Sequence, residues 1–308
     1  MESLSPTLAS ALYVLEPHTR DLLIESAPLM ESWSARECSS KDAGGMEEWA
    51  KDHGPAALEQ QISCDWYHGT WQYLRLLNMV ATPPWYEFYH EALCGVLQAH
   101  PHARVLISAA ADYGMLATLH EAADAVQAQP RIVVYDICRT PLRSCQWYAE
   151  RHGFEIECRC ANLLTCHIPP ASFDLIVTDE FLTVIKSTDK PQIVKRWREL
   201  LVPGGALVTT AMIGAPTTPE LRAGYAERAR WLIADHAASF PLHADGRRAA
   251  LLDRFDLFTS RHTRHMLDGE DEIRRLFDGF GRLAVDRTVT PGECVNPTES
   301  FQIVATVP

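Results

Sequence analysis

The chain has 308 residues, of which 47% are hydrophobic, and a formal net charge of −12 at pH 7. This length allows one large core, or one core with a sizeable insertion. The negative charge argues against nucleic acid and anionic membranes as partners. No apolar run approaches a membrane span, and the N-terminal segment lacks the pattern of a secretory signal. With nine irregularly spaced cysteines, these features predict a cytoplasmic protein with reduced thiols.

Residues 1–89 are predicted to form an N-terminal helical lid. Amphipathic helices are expected up to residue 60, including one around Met46 to Gln61 after a polar link at residues 34–45. Aromatic residues are dense between positions 65 and 93, where they either pack helices on the core or face a ligand. Both interpretations stay open. The candidate lid contacts are Tyr67, Trp71, Arg75, Trp85 and Tyr86, and Tyr73 is a candidate catalytic hydroxyl. Pairing of exposed N-terminal helices would give a homodimer.

The stretch from Arg104 to Asp136 is typical of a βαβ unit. Residues 105–107 form a short apolar run, a helix follows Gly114, and residues 132–135 form a second apolar strand. Two such strands joined by a helix predict a parallel sheet covered on both faces. Ligands bind such sheets at the carboxyl ends of the strands. Asp136 ends the second strand, where its carboxylate could accept both hydroxyls of a ribose.

The rest of the chain alternates predicted strands and helices. Strands are predicted at residues 154–158, 173–179, 201–214, 283–290 and 301–307. Helices are predicted at residues 139–153, 189–201 and 270–280, with a helical insertion at 217–258. We therefore expect an α/β fold with a doubly wound, mostly parallel seven-stranded sheet, including one antiparallel edge strand. In this interpretation residues 90–308 form one sheet domain that contains the insertion.

Four segments follow one another in a fixed order: VLISAAADYG, VVYD, SFDLIVTDEFL and LLVPGGALVTT. On these segments, the chain resembles the class I S-adenosylmethionine (SAM)-dependent methyltransferase family over roughly residues 90–215. The resemblance implies a Rossmann-like methyltransferase fold and a transferase that uses SAM. The first motif departs from the family, which places an acid and then three glycines at alternate positions. This chain has Ser108, Ala110, Asp112 and Gly114 there, so that Asp112 would either turn outward or bond the ammonium group of SAM.

The resemblance also assigns residues to the adenosine part of SAM. Asp136 would bind the ribose hydroxyls, and Ile137 would pack on adenine. Asn162, with Leu163, stands where the family often has an acid that contacts the adenine amino group. An asparagine carbonyl oxygen can accept that hydrogen bond.

The remaining assignments concern the methionine part of SAM. Gly114 would carry the main chain past it, while Asp179 and Glu180 would follow the fourth strand beside the methyl group. Asp179 is also a candidate catalytic residue, although a carboxylate there equally suits the start of a helix. The resemblance thus implies a site that is shared by several strand ends.

Cysteines near the third strand do not indicate a metal site. Cys158, Cys160, Cys166 and His167 lack the paired spacing of structural zinc ligands, so core or interface positions are expected. We therefore expect no metal.

Three functions remain open at this point. The main hypothesis is methyl transfer from SAM to the N, O or C of a small molecule in secondary metabolism. The layout also resembles that of azetidine-2-carboxylate synthases, in which SAM cyclises to azetidine-2-carboxylate and releases methylthioadenosine. The third hypothesis is a non-catalytic interaction module with a SAM-binding fold, which the glycine-poor first motif would favour.

Overall fold

The computed structural model describes residues 17–39, 64–77, 86–214, 218–235, 245–289 and 299–308. The predicted helix around Met46 to Gln61 and the predicted lid residue Trp85 lie outside these ranges, as does the side chain of Tyr86. Two compact units divide the chain. The first unit comprises residues 1–84, 217–262 and 291–297, and the second comprises residues 85–216, 263–290 and 298–308.

Helices and strands within the described ranges are numbered in chain order. The helices are α1 (Pro17–Ser39), α2 (Asp65–Leu76), α3 (Tyr86–Ala99), α4 (Gly114–Ala125), α5 (Arg139–His152), α6 (Phe181–Val184), α7 (Lys190–Leu200), α8 (Pro219–Asp235), α9 (Asp245–Arg261) and α10 (Glu270–Leu276). The strands are β1 (Arg104–Ser108), β2 (Arg131–Asp136), β3 (Glu157–Cys160), β4 (Phe173–Val177), β5 (Leu201–Ile213), β6 (Arg282–Val289) and β7 (Glu299–Thr306). None of these helices has both the length and the apolar character that a bilayer crossing requires.

The first unit is built from helices α1, α2, α8 and α9. Its apolar cluster combines Ala27 of α1, Leu74 of α2, Ile233 of α8 and Phe255 of α9. The predicted polar link from residue 34 is wrong at its start, because α1 continues to Ser39. The C-terminal part of α1 is held by Ser34, which is buried and whose hydroxyl donates a hydrogen bond to Asp65 Oδ1 at 2.6 Å.

The second unit contains the predicted seven-stranded sheet, in the order β3-β2-β1-β4-β5-β7-β6. Residues 105–107 of β1 are fully buried, which is typical of a strand covered on both faces. Ile107 lies opposite Val134 of β2 and Val177 of β4, and both neighbours run parallel to β1. The carboxyl ends of these three strands therefore meet at one edge of the sheet.

The antiparallel strand does not lie at the edge of the sheet, so this detail of the sequence analysis is wrong. β7 is inserted between β5 and β6 and runs antiparallel to both. Phe301, Ile303 and Ala305 of β7 are buried, whereas β6 is mostly exposed or partly exposed. The more apolar strand takes the inner position, and the polar β6 forms the edge, where exposed charges discourage further pairing.

The third strand also begins later than predicted. Gly153 has a φ of 73° and ends α5 in the left-handed conformation that glycine commonly adopts after a helix. Phe154 precedes β3, and its ring stacks on His120 with 4.4 Å between the ring centroids. β3 starts at Glu157 and pairs with the last four residues of β2.

Candidate active site

The loop after β1 makes a sharp turn without a glycine. Ala109 has a φ of 67°, a left-handed conformation that non-glycine residues seldom adopt. Ser108, immediately before it, is buried, and its hydroxyl oxygen accepts a hydrogen bond from Trp197 Nε1 at 2.8 Å. The turn directs the Ala110 N–H toward Asp136, whose Oδ2 accepts it at 3.0 Å. This bond ties the loop after β1 to the end of β2.

Asp112 lies at the start of α4 rather than turning outward. It is only 4% exposed, and its Oδ1 accepts a hydrogen bond from the Gly114 N–H at 2.8 Å. A short acidic side chain often satisfies a backbone donor at a helix start in this way, and its charge suits the positive end of the helix dipole. Its contact with the ammonium group of SAM stays a prediction.

Two backbone donors orient the Asp136 carboxylate at the end of β2. Ala110 donates to Oδ2, and the Cys138 N–H donates to Oδ1 at 2.7 Å. Ile137, the next residue, is 39% exposed, which is unusual for a large apolar side chain. The end of β2 thus combines a fixed acceptor with an exposed apolar surface.

The two residues predicted near adenine take different positions. The Ala161 N–H donates to the Asp136 carbonyl, which keeps Asn162 close to the end of β2. Asn162 Oδ1 accepts a hydrogen bond from the Leu164 N–H at 2.9 Å, a side-chain turn that asparagine commonly makes. Leu163 instead packs in the apolar core and is 8% exposed. Burial of this apolar side chain stabilises the core. The predicted contact of Leu163 with SAM stays a prediction.

Asp179 follows β4 and is held by hydroxyl donors from two other elements. Its Oδ1 accepts hydrogen bonds from the Tyr89 hydroxyl of α3 at 3.0 Å and from Thr210 Oγ1 of β5 at 2.8 Å. The Tyr89 hydroxyl also lies 2.8 Å from the Thr178 carbonyl oxygen. Burial, and then the charge of Asp179, raise the pKa of Tyr89 well above its ordinary value. Tyr89 therefore remains a neutral hydrogen-bond donor that orients Asp179.

Glu180, the next residue, has a strained backbone and a perturbed carboxyl. Its φ is 50°, in the left-handed region. Its Oε2 accepts hydrogen bonds from the Met212 N–H at 2.9 Å and from the Thr183 hydroxyl at 2.5 Å. Burial, followed by the charge of Asp179, raises the pKa of Glu180 from 4.5 to about 7. The two adjacent carboxyls therefore do not both ionise readily at neutral pH.

Reasoning from the sequence missed the partners of these acids. Thr210 is one of two adjacent threonines in an otherwise apolar part of β5, a signal that could have narrowed the choice to these two residues. Tyr89 belongs to the dense aromatic segment, but nothing in the pattern distinguished it from its neighbours. Trp197 lies within the predicted helix at residues 189–201, and its indole N–H donates a hydrogen bond to Ser108 from there.

The described lid candidates lie together on α2 of the first unit. The Tyr73 hydroxyl donates a hydrogen bond to Glu31 Oε2 at 2.9 Å, and Arg75 is buried. Tyr67 and Trp71 stack on each other with 5.2 Å between the ring centroids. These contacts account for part of the aromatic density by packing within the unit. The predicted roles of these residues toward a ligand stay predictions.

Comparisons with known proteins find a matching family model and several similar solved structures. The family model described as a methyltransferase domain matches residues 114–205. A search of curated protein sequences finds no match to the chain. Among solved structures, the chain is similar to the N-methyltransferase NodS from Bradyrhizobium japonicum WM9 in complex with S-adenosyl-L-homocysteine (SAH), at 16% identity, with a TM-score of 0.44 and coverage of 78% of this chain and 98% of that chain.

A SAM-dependent methyltransferase from Methanosarcina mazei is also similar, at 17% identity and a TM-score of 0.43, covering 68% of this chain and 93% of that chain. TehB from Haemophilus influenzae has 12% identity and a TM-score of 0.43, covering 71% of this chain and 62% of that chain. The matched domain begins at the first residue of α4 and ends in the Pro-Gly-Gly turn of β5. Residues 114–205 therefore match a methyltransferase domain, in line with the resemblance seen in the sequence.

Proposed function

We propose that this chain transfers the methyl group of SAM to a nitrogen, oxygen or carbon of a small molecule, as an enzyme of secondary metabolism in the cytoplasm. One observation carries the proposal. Asp136 and Asp179 follow β2 and β4, which flank β1, so both acids belong to the same edge of the sheet. The net charge of −12 supports a small-molecule acceptor over nucleic acid.

The residues at this edge suit SAM. Asp136 would accept hydrogen bonds from the ribose hydroxyls, since a carboxylate offers about four lone-pair sites. Ile137 offers an exposed apolar surface for adenine, and Asn162 would contact the adenine edge. Alanine at positions 109–111 keeps the loop after β1 nearly as small as the glycines of the family. Asp112 at the start of α4 would attract the ammonium group.

When bound, SAM supplies an electrophilic methyl group on a positively charged sulfur. The protein's own contribution is alignment of the acceptor and exclusion of water, both of which accelerate displacement reactions. Asp179, fixed by Tyr89 and Thr210, would place negative charge near the sulfonium and orient the acceptor. This role needs no extreme acid or base, because the leaving group is already activated.

The helical segment at residues 1–89 remains the proposed lid over the ligand. Aromatic faces attract cations, which suits the stacked Tyr67 and Trp71. The proposed ligand contacts on the lid are Tyr67, Trp71, Tyr73, Arg75, Trp85 and Tyr86. A homodimer through exposed N-terminal helices remains part of this proposal.

Cyclisation of SAM is the second candidate, and the position of Asp112 favours it. An acid at the start of α4 could take a proton from the amino group of SAM. The free amine would then attack the side-chain carbon attached to sulfur, which forms azetidine-2-carboxylate and releases methylthioadenosine. This reaction needs no acceptor, which makes it separable by experiment.

The test is incubation of the purified protein with SAM, alone and with a pool of small nucleophiles, followed by mass spectrometry. Production of SAH that depends on an acceptor supports methyl transfer. Methylthioadenosine with azetidine-2-carboxylate from SAM alone supports cyclisation and refutes the main proposal. Absence of SAM binding in calorimetry refutes both and favours a non-catalytic module. Asp136→Asn protein is the control for spontaneous breakdown of SAM.

A further inference from the structure

The strand order places Glu180 near the far end of the SAM site. Since β1 stands between β2 and β4, a ligand whose ribose meets Asp136 extends across the end of β1 toward β4. Asp179 and Glu180 follow that strand after a single residue, Thr178. The inference below rests on the proposed function and concerns the charge of this part of the site.

Hydrogen bonds to the Glu180 carboxyl are unevenly distributed. Oε2 accepts two of them, from Met212 and Thr183. Oε1 is buried and has no hydrogen-bond partner within the part of the chain that the structure describes. Buried polar atoms are nearly always paired, so an oxygen of this kind requires an explanation. A proton on Oε1 provides one, because a neutral carboxyl is less costly to bury than a carboxylate.

The charges around Glu180 also favour the protonated form near neutral pH. Burial and the adjacent Asp179 raise its pKa to about 7, against smaller opposing effects from its two hydrogen bonds and from the positive charge of Arg264. Tyr89 of α3 faces Asp179 as a neutral hydroxyl, because its own pKa lies well above the ordinary value. Among the described residues, the charges of Asp179 and Arg264 act on this carboxyl, and the Tyr89 hydroxyl contacts Asp179.

We propose that Glu180 holds a proton before SAM binds and releases it to solvent when the positively charged sulfonium arrives. A nearby cation favours ionised carboxyls, whereas the neutral sulfur of SAH does not. Binding of SAM is therefore coupled to proton release, and binding of SAH is not. The proton returns from solvent once methyl transfer has removed the charge on sulfur. The acid pair thus distinguishes the co-substrate from the product by charge.

Isothermal titration calorimetry tests this without knowledge of the acceptor. SAM and SAH are titrated at pH 7 in two buffers that differ in ionisation enthalpy, which yields the number of protons released. We expect about half a proton per SAM and none per SAH. Glu180→Gln should abolish the release, and the exposed Glu150→Gln should retain it. Comparison with Glu180→Gln also removes any contribution from the amino group of SAM itself.

A second measurement covers the case in which Glu180→Gln does not fold. In the wild-type protein, the affinity for SAM relative to SAH should increase about tenfold between pH 6 and pH 8. Equal proton release for both ligands, unchanged release in Glu180→Gln, or a ratio independent of pH would overturn the inference while leaving SAM binding intact. If neither ligand binds to the wild-type protein, the proposed function fails and the inference fails with it.

Discussion

Replacement of Glu180 by glutamine should change how the stability of the protein depends on pH. The pKa of this carboxyl is raised from 4.5 to about 7 in the folded protein, mainly by burial. Between these values the folded state keeps a proton that the unfolded chain has released. Raising the pH through this window therefore lowers the free energy of unfolding, and the loss is complete above pH 7.

The size of the effect follows from the shift. It corresponds to about 3 kcal/mol, which is an upper limit because part of the shift reflects the charge of neighbouring Asp179. Glutamine cannot ionise, so the Glu180→Gln protein lacks this contribution. The unpaired amide of the new glutamine lowers the free energy of unfolding of the variant by an amount that does not vary with pH. Only the change of the free energy of unfolding with pH is therefore informative. The wild-type protein should lose up to about 2.5 kcal/mol more than the variant between pH 5 and pH 8, because part of the effect already lies below pH 5.

Urea unfolding without ligand at pH 5 and pH 8 measures this difference, with circular dichroism as the signal. Glu150→Gln, which alters an exposed carboxyl on α5, serves as the control and should follow the wild-type protein. Parallel pH dependence of the wild-type and Glu180→Gln proteins would show that the carboxyl ionises normally, and the argument from burial would then be wrong.

Three further predictions concern other contacts. Trp197→Phe removes the donor to Ser108 and should cost about 1–2 kcal/mol in urea unfolding, and an unchanged value would mean that this bond contributes nothing. Asp136→Asn should weaken SAM binding at least roughly tenfold by calorimetry, because one oriented acceptor is lost, and equal affinity would remove the ribose assignment. Gly69→Ala should destabilise the first unit by about 1–3 kcal/mol, since its new Cβ would lie 2.5 Å from a guanidinium nitrogen of α9. Thermal melts of both variants measure this difference. Gly95→Ala is the matched control, because no atom lies within 4 Å of its added Cβ, and it should be neutral or stabilising.

The sheet could be predicted largely from sequence because β1, β2, β4 and β5 carry continuous apolar runs. The acid at the end of β2 and the Pro-Gly-Gly turn before the main part of β5 were also visible as patterns. The inner position of β7 could not be predicted, because it depends on which of the two strands, β6 or β7, is more deeply buried. Alternation alone predicts two strands but does not rank them as edge and interior.

The candidate site was predictable only in outline. Strand ends identified Asp136, Asp179 and Glu180, since chain order places them at one edge. The left-handed backbone at Ala109 and Glu180 had no sequence signal, because neither residue is a glycine. The perturbed pKa of Glu180 depends on burial and on neighbours from β5 and α6, which a single sequence does not reveal.

The four described helices of the first unit come from two separate stretches of the chain, and this limits how the unit can be engineered. α1 and α2 precede the sheet, whereas α8 and α9 leave the chain between β5 and β6. Since one apolar cluster joins all four helices, deletion of residues 1–84 would strip the inserted pair of its packing surface. Such a truncation should give an aggregating protein instead of a simplified enzyme. An exchange of this unit between related proteins would have to transplant both stretches together.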